Sequence, residues 1–413
     1  MTNTQPILDE SFDVIVIGGG PAGAASGALL AEYGHSTLVL ERTPFPRFHV
    51  GESLIPETYW SLKRLGLLEQ LKASAYPQKF SVQFFSEGVK PSAPFYFDEY
   101  KQCESSRTWQ VWRDSFDKML LDNASSKGAT VHTAAQVLDV DLAKTSADLH
   151  KVQVRVTNAD GTKSDKDLSA RVVVDATGQT AFLATRLGFK ESDPILKKGT
   201  VWSYYENAYR DESPRDEGAT LIMQTADKKS WFWFIPLLDN AASVGCTGSM
   251  EYMFPKGATP ESTMARELER CPAMADRLTN ATRIREFMTT KDYSYYSSQG
   301  AGDGWVLVGD AYGFIDPVYS TGVFLALKSA EFAADAIHDG LLTDDVSATT
   351  LGRWQDEHRA GIDLFRKLVY AFYDPDFSFG TFLKAHPQFR SNVTDMLIGD
   401  VFKPGVGDIF DAM

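Results

Sequence analysis

The chain has 413 residues, of which 43% are hydrophobic and 23% charged, and its formal net charge is −14. That length holds two domains or one composite domain with a sizeable core, and the acidic balance argues against a nucleic-acid partner and an anionic membrane surface. No apolar run approaches a membrane span and the N-terminus lacks the pattern of a signal peptide, so a cytoplasmic protein is expected.

An apolar strand over 14–17 runs into Gly18-x-Gly20-x-x-Gly23, a helix of small residues, and a second strand over 38–40 that ends at Glu41. Together these read as a βαβ unit for a dinucleotide. The glycines permit a tight turn, close approach to a pyrophosphate and tight helix packing, while the helix N-terminus offers free N–H groups to phosphate. Glu41, 21 residues after Gly20, is placed to accept a hydrogen bond from a ribose hydroxyl.

A loop broken by prolines covers 42–56, followed by a helix over 57–68 and a strand over 76–85 whose return partner lies at 94–97. Residues 109–113 lead into a helix over 114–125. Strands at 131–142 and 152–156 form a meander turned in part at Asn158-Ala-Asp160-Gly161, and an apolar strand over 172–174 enters Asp175-Ala-Thr-Gly178. Strand-like segments at 201–205, 220–223 and 231–236 indicate a second, mainly antiparallel sheet, interrupted by a helix over 260–278. A strand over 305–308 enters Gly309-Asp310-Ala311, a long helix covers 323–338, and the last 75 residues read as amphipathic helices rich in aromatics. The expected organisation is α/β: a discontinuous Rossmann-like cofactor domain (12–75, 109–186 and 296–340), a mainly antiparallel substrate domain (76–108 and 187–295) and a helical C-terminal region (341–413). Cys103, Cys246 and Cys271 are few, odd in number and far apart, so neither a disulfide framework nor a metal site is expected.

In combining the N-terminal unit with Asp175-Ala-Thr-Gly178 and Gly309-Asp310-Ala311, the chain resembles the flavoproteins related to the aromatic hydroxylases, from about residue 12 to 401. The resemblance implies FAD as the dinucleotide. It also implies that Asp310 meets the ribityl or ribose part, and that Arg47 and Arg113 lie near the cofactor, with Arg42 beside Glu41 in the same set.

Within that group the chain resembles the flavin-dependent halogenases. Trp231-Phe-Trp233-Phe-Ile235-Pro236 matches their Trp-x-Trp-x-Ile-Pro at each fixed position. Read from residue type alone it is an aromatic stripe on one strand face, which core packing would also produce. The resemblance implies a barrier that keeps the organic substrate away from the flavin. Phe314-Ile-Asp-Pro317-Val-Tyr319-Ser320-Thr321-Gly322 resembles the halogenase loop in the order of its Phe, Pro, Ser and Gly. Physically, Ser320 or Thr321 can cap a helix starting near Val323, and the N–H groups of Thr321 and Gly322 at its positive end suit a halide. Lys79 follows Gly51-Glu-Ser-Leu-Ile-Pro56 on the next strand, where halogenases carry their lysine, and partial desolvation there would lower its pKa. Lys72, at a polar helix end, is the weaker candidate.

The chemistry implied by the resemblance uses reduced FAD and dioxygen to oxidise halide held at Thr321 and Gly322. Hypohalous acid then reaches Lys79, which delivers the halogen to an electron-rich ring. Only one dinucleotide unit is present, so a separate flavin reductase is the expected electron source. Tryptophan halogenases carry a glutamate immediately before Ser-Thr-Gly, where this chain has Tyr319. A phenol supplies no carboxylate charge to an arenium ion, which favours a phenol or pyrrole substrate, free or tethered to a carrier protein. An FAD monooxygenase that hydroxylates an aromatic ring, or a reductase resembling the geranylgeranyl reductases, would share the scaffold; neither needs Lys79.

Overall fold

A computed structural model of the chain describes residues 10–144 and 148–413. The N-terminal apolar run forms the Ser11–Ile17 strand inside a parallel sheet, between Thr37–Glu41 on one side and Lys163–Asp175 on the other. Val14, Ile15 and Val16 are all fully buried, as befits a strand covered on both faces. The sheet ends in Thr130–Thr133 on one side and continues on the other through Trp305–Leu307 to the short edge strand Ala301–Gly302, and the antiparallel strands Ala135–Asp141 and His150–Thr157 extend it. The helices Pro21–Glu32, Arg113–Ser126 and Gly322–Leu342 pack together over one face. Alanines and glycines let them approach closely.

The second sheet has nine strands and is mainly antiparallel. Its centre runs Lys198–Glu206, Ala241–Ser249, Ser230–Pro236 and Thr220–Gln224, and Ser81–Ser86 joins the last in parallel. Side chains on the Ser230–Pro236 strand alternate, with Trp231, Trp233 and Ile235 in the core shared with the parallel sheet and Phe232 and Phe234 in a separate core on the far side. The C-terminal region is helical, led by Gln355–Tyr373. No helix among the described residues is long and apolar enough to cross a membrane.

Three predicted elements are divided. The helix expected over 57–68 is two, Thr58–Arg64 and Leu68–Lys72, because Gly66 adopts φ +78° and turns the chain between them. The helix expected over 260–278 stops at Leu268 and restarts at Pro272, whose missing N–H cannot continue a ladder but suits a first turn. The strand expected over 76–85 also splits. Gln78–Lys79 pairs with Thr108–Trp109, while Ser81–Ser86 belongs to the nine-stranded sheet. Lys79 therefore sits where the chain passes from one sheet to the next.

Candidate active site

Both sheets and the Gly322–Leu342 helix border one cleft of about 630 Å³. Gly18, Gly20, Glu41, Arg42, Arg47, Arg113, Trp231, Trp233, Asp310 and Gly322 line it together, although they come from six separate stretches of sequence. Gly23, Lys79, Tyr319 and Thr321 do not line it. Gly23 lies inside the first helix, and a Cβ there would stand 1.8 Å from the Gly18 carbonyl oxygen. Gly18 itself has φ +108°, a conformation open to glycine. Gly23→Ala is expected to force the helix away from the turn and to weaken FAD binding about 10–100-fold at unchanged far-UV circular dichroism, as read by flavin fluorescence titration.

Glu41 accepts hydrogen bonds from the backbone N–H of Gly19 and of Thr43, each at 2.9 Å and each on a different oxygen. Each carboxylate oxygen keeps a second lone pair, so a ribose hydroxyl can still donate to it. Arg47 and Arg113 are held by an acid that the motifs did not single out. Asp117, fully buried, accepts from Arg113 Nε at 2.7 Å and Nη2 at 3.0 Å and from Arg47 Nη1 at 3.2 Å. Arg113 Nη1 also donates to the Val50 carbonyl at 2.8 Å, fixing the loop over 42–56 against the Arg113–Ser126 helix. Asp117 is four residues after Arg113 on that helix, a spacing that was readable in the sequence.

Asp310 borders the cleft, and among the described residues no donor reaches its carboxylate. Burial pushes its pKa up to about 6, against the pull of Arg113. An acceptor left open at the cleft fits a polyhydroxyl chain, and the glycine turn and free helix N-terminus fit a pyrophosphate. On both counts these residues fit FAD.

The loop over 314–322 differs from expectation at its end. Ser320 takes φ +57°, the helix begins at Gly322, and neither Ser320 nor Thr321 caps it with a side chain. Its first-turn N–H groups are therefore left for another acceptor, and Gly322 brings that end of the helix to the cleft. Thr321 is buried behind Gly322. Asp316, also buried, accepts from the N–H of Val318 and from the Tyr373 hydroxyl, both at 3.0 Å, and burial raises its pKa to about 7. The Tyr373 hydroxyl in turn accepts from Trp231 Nε1 at 2.8 Å. The C-terminal Gln355–Tyr373 helix thus ties the loop to the tryptophan strand.

Trp231 and Trp233 present their rings to the cleft with centroids 6.0 Å apart. Trp233 Nε1 donates to Ser243 Oγ at 3.1 Å, and Gly245 leaves room for its ring, since a Cβ there would lie 2.2 Å from it. The Ala241–Ser249 strand carrying both residues is built mostly of small residues and gave no sequence signal. Tyr319 is buried away from the cleft, packed edge-on to Phe372 at 6.1 Å.

Lys79 is 3% exposed, and burial alone lowers its pKa to about 7. Its Nζ donates to Ser53 Oγ at 2.9 Å and to the Leu54 carbonyl at 3.1 Å, with the Phe97 ring 5.8 Å away. Ser53 lines the cleft, so one hydroxyl separates the amine from it. Lys72, by contrast, lies on the surface and pairs with Glu69 and Glu104.

A mixed α/β fold with these residues around one cleft defines an FAD-dependent oxidoreductase, and the family described as FAD binding domain matches residues 11–338. The chain is 31% identical to the 1H-pyrrole-2-carbonyl-peptidyl-carrier protein chlorinase of Pseudomonas fluorescens, covering 98% of this chain and 93% of that protein. It is 30% identical to the corresponding brominase of Pseudoalteromonas luteoviolacea, covering 95% and 93%. The solved flavin-dependent brominase Bmp2 superposes with a TM-score of 0.85 at 27% identity, over 97% of this chain and 98% of that one. This chain belongs to the flavin-dependent halogenases, FAD enzymes that oxidise halide to hypohalous acid and halogenate an electron-rich aromatic ring.

Proposed function

We propose that this halogenase acts on a pyrrole ring carried on the arm of a carrier protein, in the cytoplasm, with reduced FAD supplied by a separate reductase. The observation that carries the reading is the buried Lys79 amine held one hydroxyl behind the cleft, in a chain that matches two carrier-bound-pyrrole halogenases over nearly its whole length. Reduced FAD, when bound, supplies together with dioxygen the oxidising power for halide.

The remaining work falls to the protein. Gly18, Gly20, Gly23, Glu41, Arg42, Arg47, Arg113 and Asp310 hold the dinucleotide. Halide sits at the uncapped helix end, on the N–H groups of Thr321 and Gly322, where the helix dipole favours an anion. Trp231 and Trp233 fill the cleft wall and exclude the organic substrate from the flavin side. Lys79, neutral in a substantial fraction near pH 7, accepts the halogen and delivers it. Tyr319 offers no carboxylate to stabilise an arenium ion, which suits a pyrrole, whose nitrogen lone pair does so. The two sheets support the division into a cofactor unit (12–75, 109–186 and 296–340), a substrate unit (76–108 and 187–295) and the helical region over 341–413.

The test supplies FAD, a flavin reductase, NADH, oxygen and either bromide or chloride to the enzyme, with pyrrolyl-loaded carrier protein, free pyrrole-2-carboxylate or a free phenol. Mass spectrometry is expected to show halogenated pyrrole on the carrier and little on the free acid. Preference for a free phenol would reject the carrier, and oxygenated product independent of halide would favour a hydroxylase.

A further inference from the structure

Ser53, the one hydroxyl between Lys79 and the cleft, has a second hydroxyl beside it, Thr220, and both border the cleft while Lys79 does not. They come from segments 167 residues apart, with Ser53 Oγ and Thr220 Oγ1 separated by 2.9 Å. The orientation of the next residue is fixed by chemistry. The Gly218 carbonyl can only accept, so Gln110 must present Nε2 to it at 2.9 Å, and the same nitrogen donates to Thr220 Oγ1 at 2.8 Å. The Lys79 amine donates one hydrogen to the Leu54 carbonyl, which also can only accept, and another to Ser53 Oγ.

The count of hydrogens then decides what Ser53 can do. One of the two hydroxyl hydrogens bridges Ser53 and Thr220. When Thr220 is the donor, the Ser53 hydrogen has no acceptor among the described residues and is free for the cleft or, once Lys79 is neutral, for its lone pair. No charged group competes for that amine: Glu52, next to Ser53, accepts instead from the Tyr204 hydroxyl, and burial is the sole cause of the lysine's shift.

The geometry points to Ser53 as the positioning residue that holds the Lys79 amine and carries its proton to the cleft. This rests on the reading of Lys79 as the halogen acceptor. As the nitrogen–halogen bond forms, the oxygen–halogen bond of hypohalous acid breaks. Ser53 Oγ takes the proton that the amine loses and passes its own hydrogen to the departing hydroxide, which leaves as water. The halogen keeps its oxidation state, so no further oxidant is needed.

The test compares the parent with Ser53→Ala, Ser53→Thr and Lys79→Ala in the full reductase-coupled system with bromide. A β-diketone that traps free hypobromous acid is added in parallel assays, and FAD affinity and thermal unfolding are checked for each variant. Ser53→Ala is expected to lower kcat for halogenated product about 100-fold at unchanged KM, with more trapped oxidant per NADH consumed. Ser53→Thr, which keeps the hydroxyl, is expected to restore kcat to within about 10-fold of the parent. Parental kcat in Ser53→Ala, or Ser53→Thr no better than alanine, would overturn the role of Ser53 while an inactive Lys79→Ala left the lysine reading standing. Product from Lys79→Ala would overturn both.

Discussion

Lys79→Met is expected to abolish halogenation and at the same time to stabilise the folded chain at neutral pH. Loss of the group that accepts the halogen should cost about 1,000-fold or more in product formation, while FAD binding and NADH-driven flavin oxidation persist. The stability gain follows from desolvation. The amine titrates near pH 7 in the folded chain against 10.5 when exposed. Between those values the unfolded chain binds a proton that the folded chain does not, so the parent's stability rises with pH across that window and falls as pH drops toward 7. Carrying the lysine costs the parent roughly 4 kcal/mol at pH 7 and about 1 kcal/mol at pH 10. Methionine removes that cost but leaves the buried Leu54 carbonyl without its donor, a loss of about 1–3 kcal/mol. Urea unfolding should therefore show the variant more stable at pH 7, with the difference shrinking by about 3 kcal/mol by pH 10. A gap independent of pH would mean that the amine is not perturbed by burial.

The parts of this site that were legible in the sequence are those whose meaning is local. The glycine turn, the helix after it and Glu41 lie within one βαβ unit, and their spacing alone states their geometry. Trp231 and Trp233 were placed on one face by the two-residue period of a strand, and that face does meet the cleft. Lys79 was found by its place after the Gly51 to Pro56 segment, yet nothing near it in sequence says that it lies behind Ser53. That relation joins residues 53, 79, 110 and 220, which are brought together by the pairing of Gln78–Lys79 with Thr108–Trp109, of Ser53 with Gln110 and of Thr220–Gln224 with Ser81–Ser86. The hydroxyl cap at Ser320 or Thr321 was a sound local reading. It failed because Ser320 enters the left-handed region and Thr321, which does occupy the position before the helix, has a helical backbone rather than the extended one from which a hydroxyl caps. Asp117 was readable from its spacing to Arg113, but its bond to Arg47 crosses 70 residues.

Asp117→Ala is expected to be the most damaging change outside the reacting groups. Its carboxylate is shared by two guanidinium groups, one of them buried, and no other carboxylate lies within bonding distance of Arg113 among the described residues. Removing one partner of a buried ion pair leaves the other charge uncompensated, at a cost of about 3–5 kcal/mol. The damage should extend to the cofactor, because Arg113 ties the Val50 and Gly51 carbonyls to the helix and Arg47 borders the cleft beside Glu41. Chemical unfolding should give a markedly lower midpoint, and flavin titration a weaker FAD complex. The double variant Asp117→Leu with Arg113→Met separates the two effects. It removes both buried charges, so most of the stability should return. FAD affinity should not return with it, since the loop over 42–56 has lost its anchor. Recovery of both together would show that the Arg113–Asp117 pair serves the fold alone, whereas recovery of stability without affinity places the pair among the groups that shape the flavin cleft.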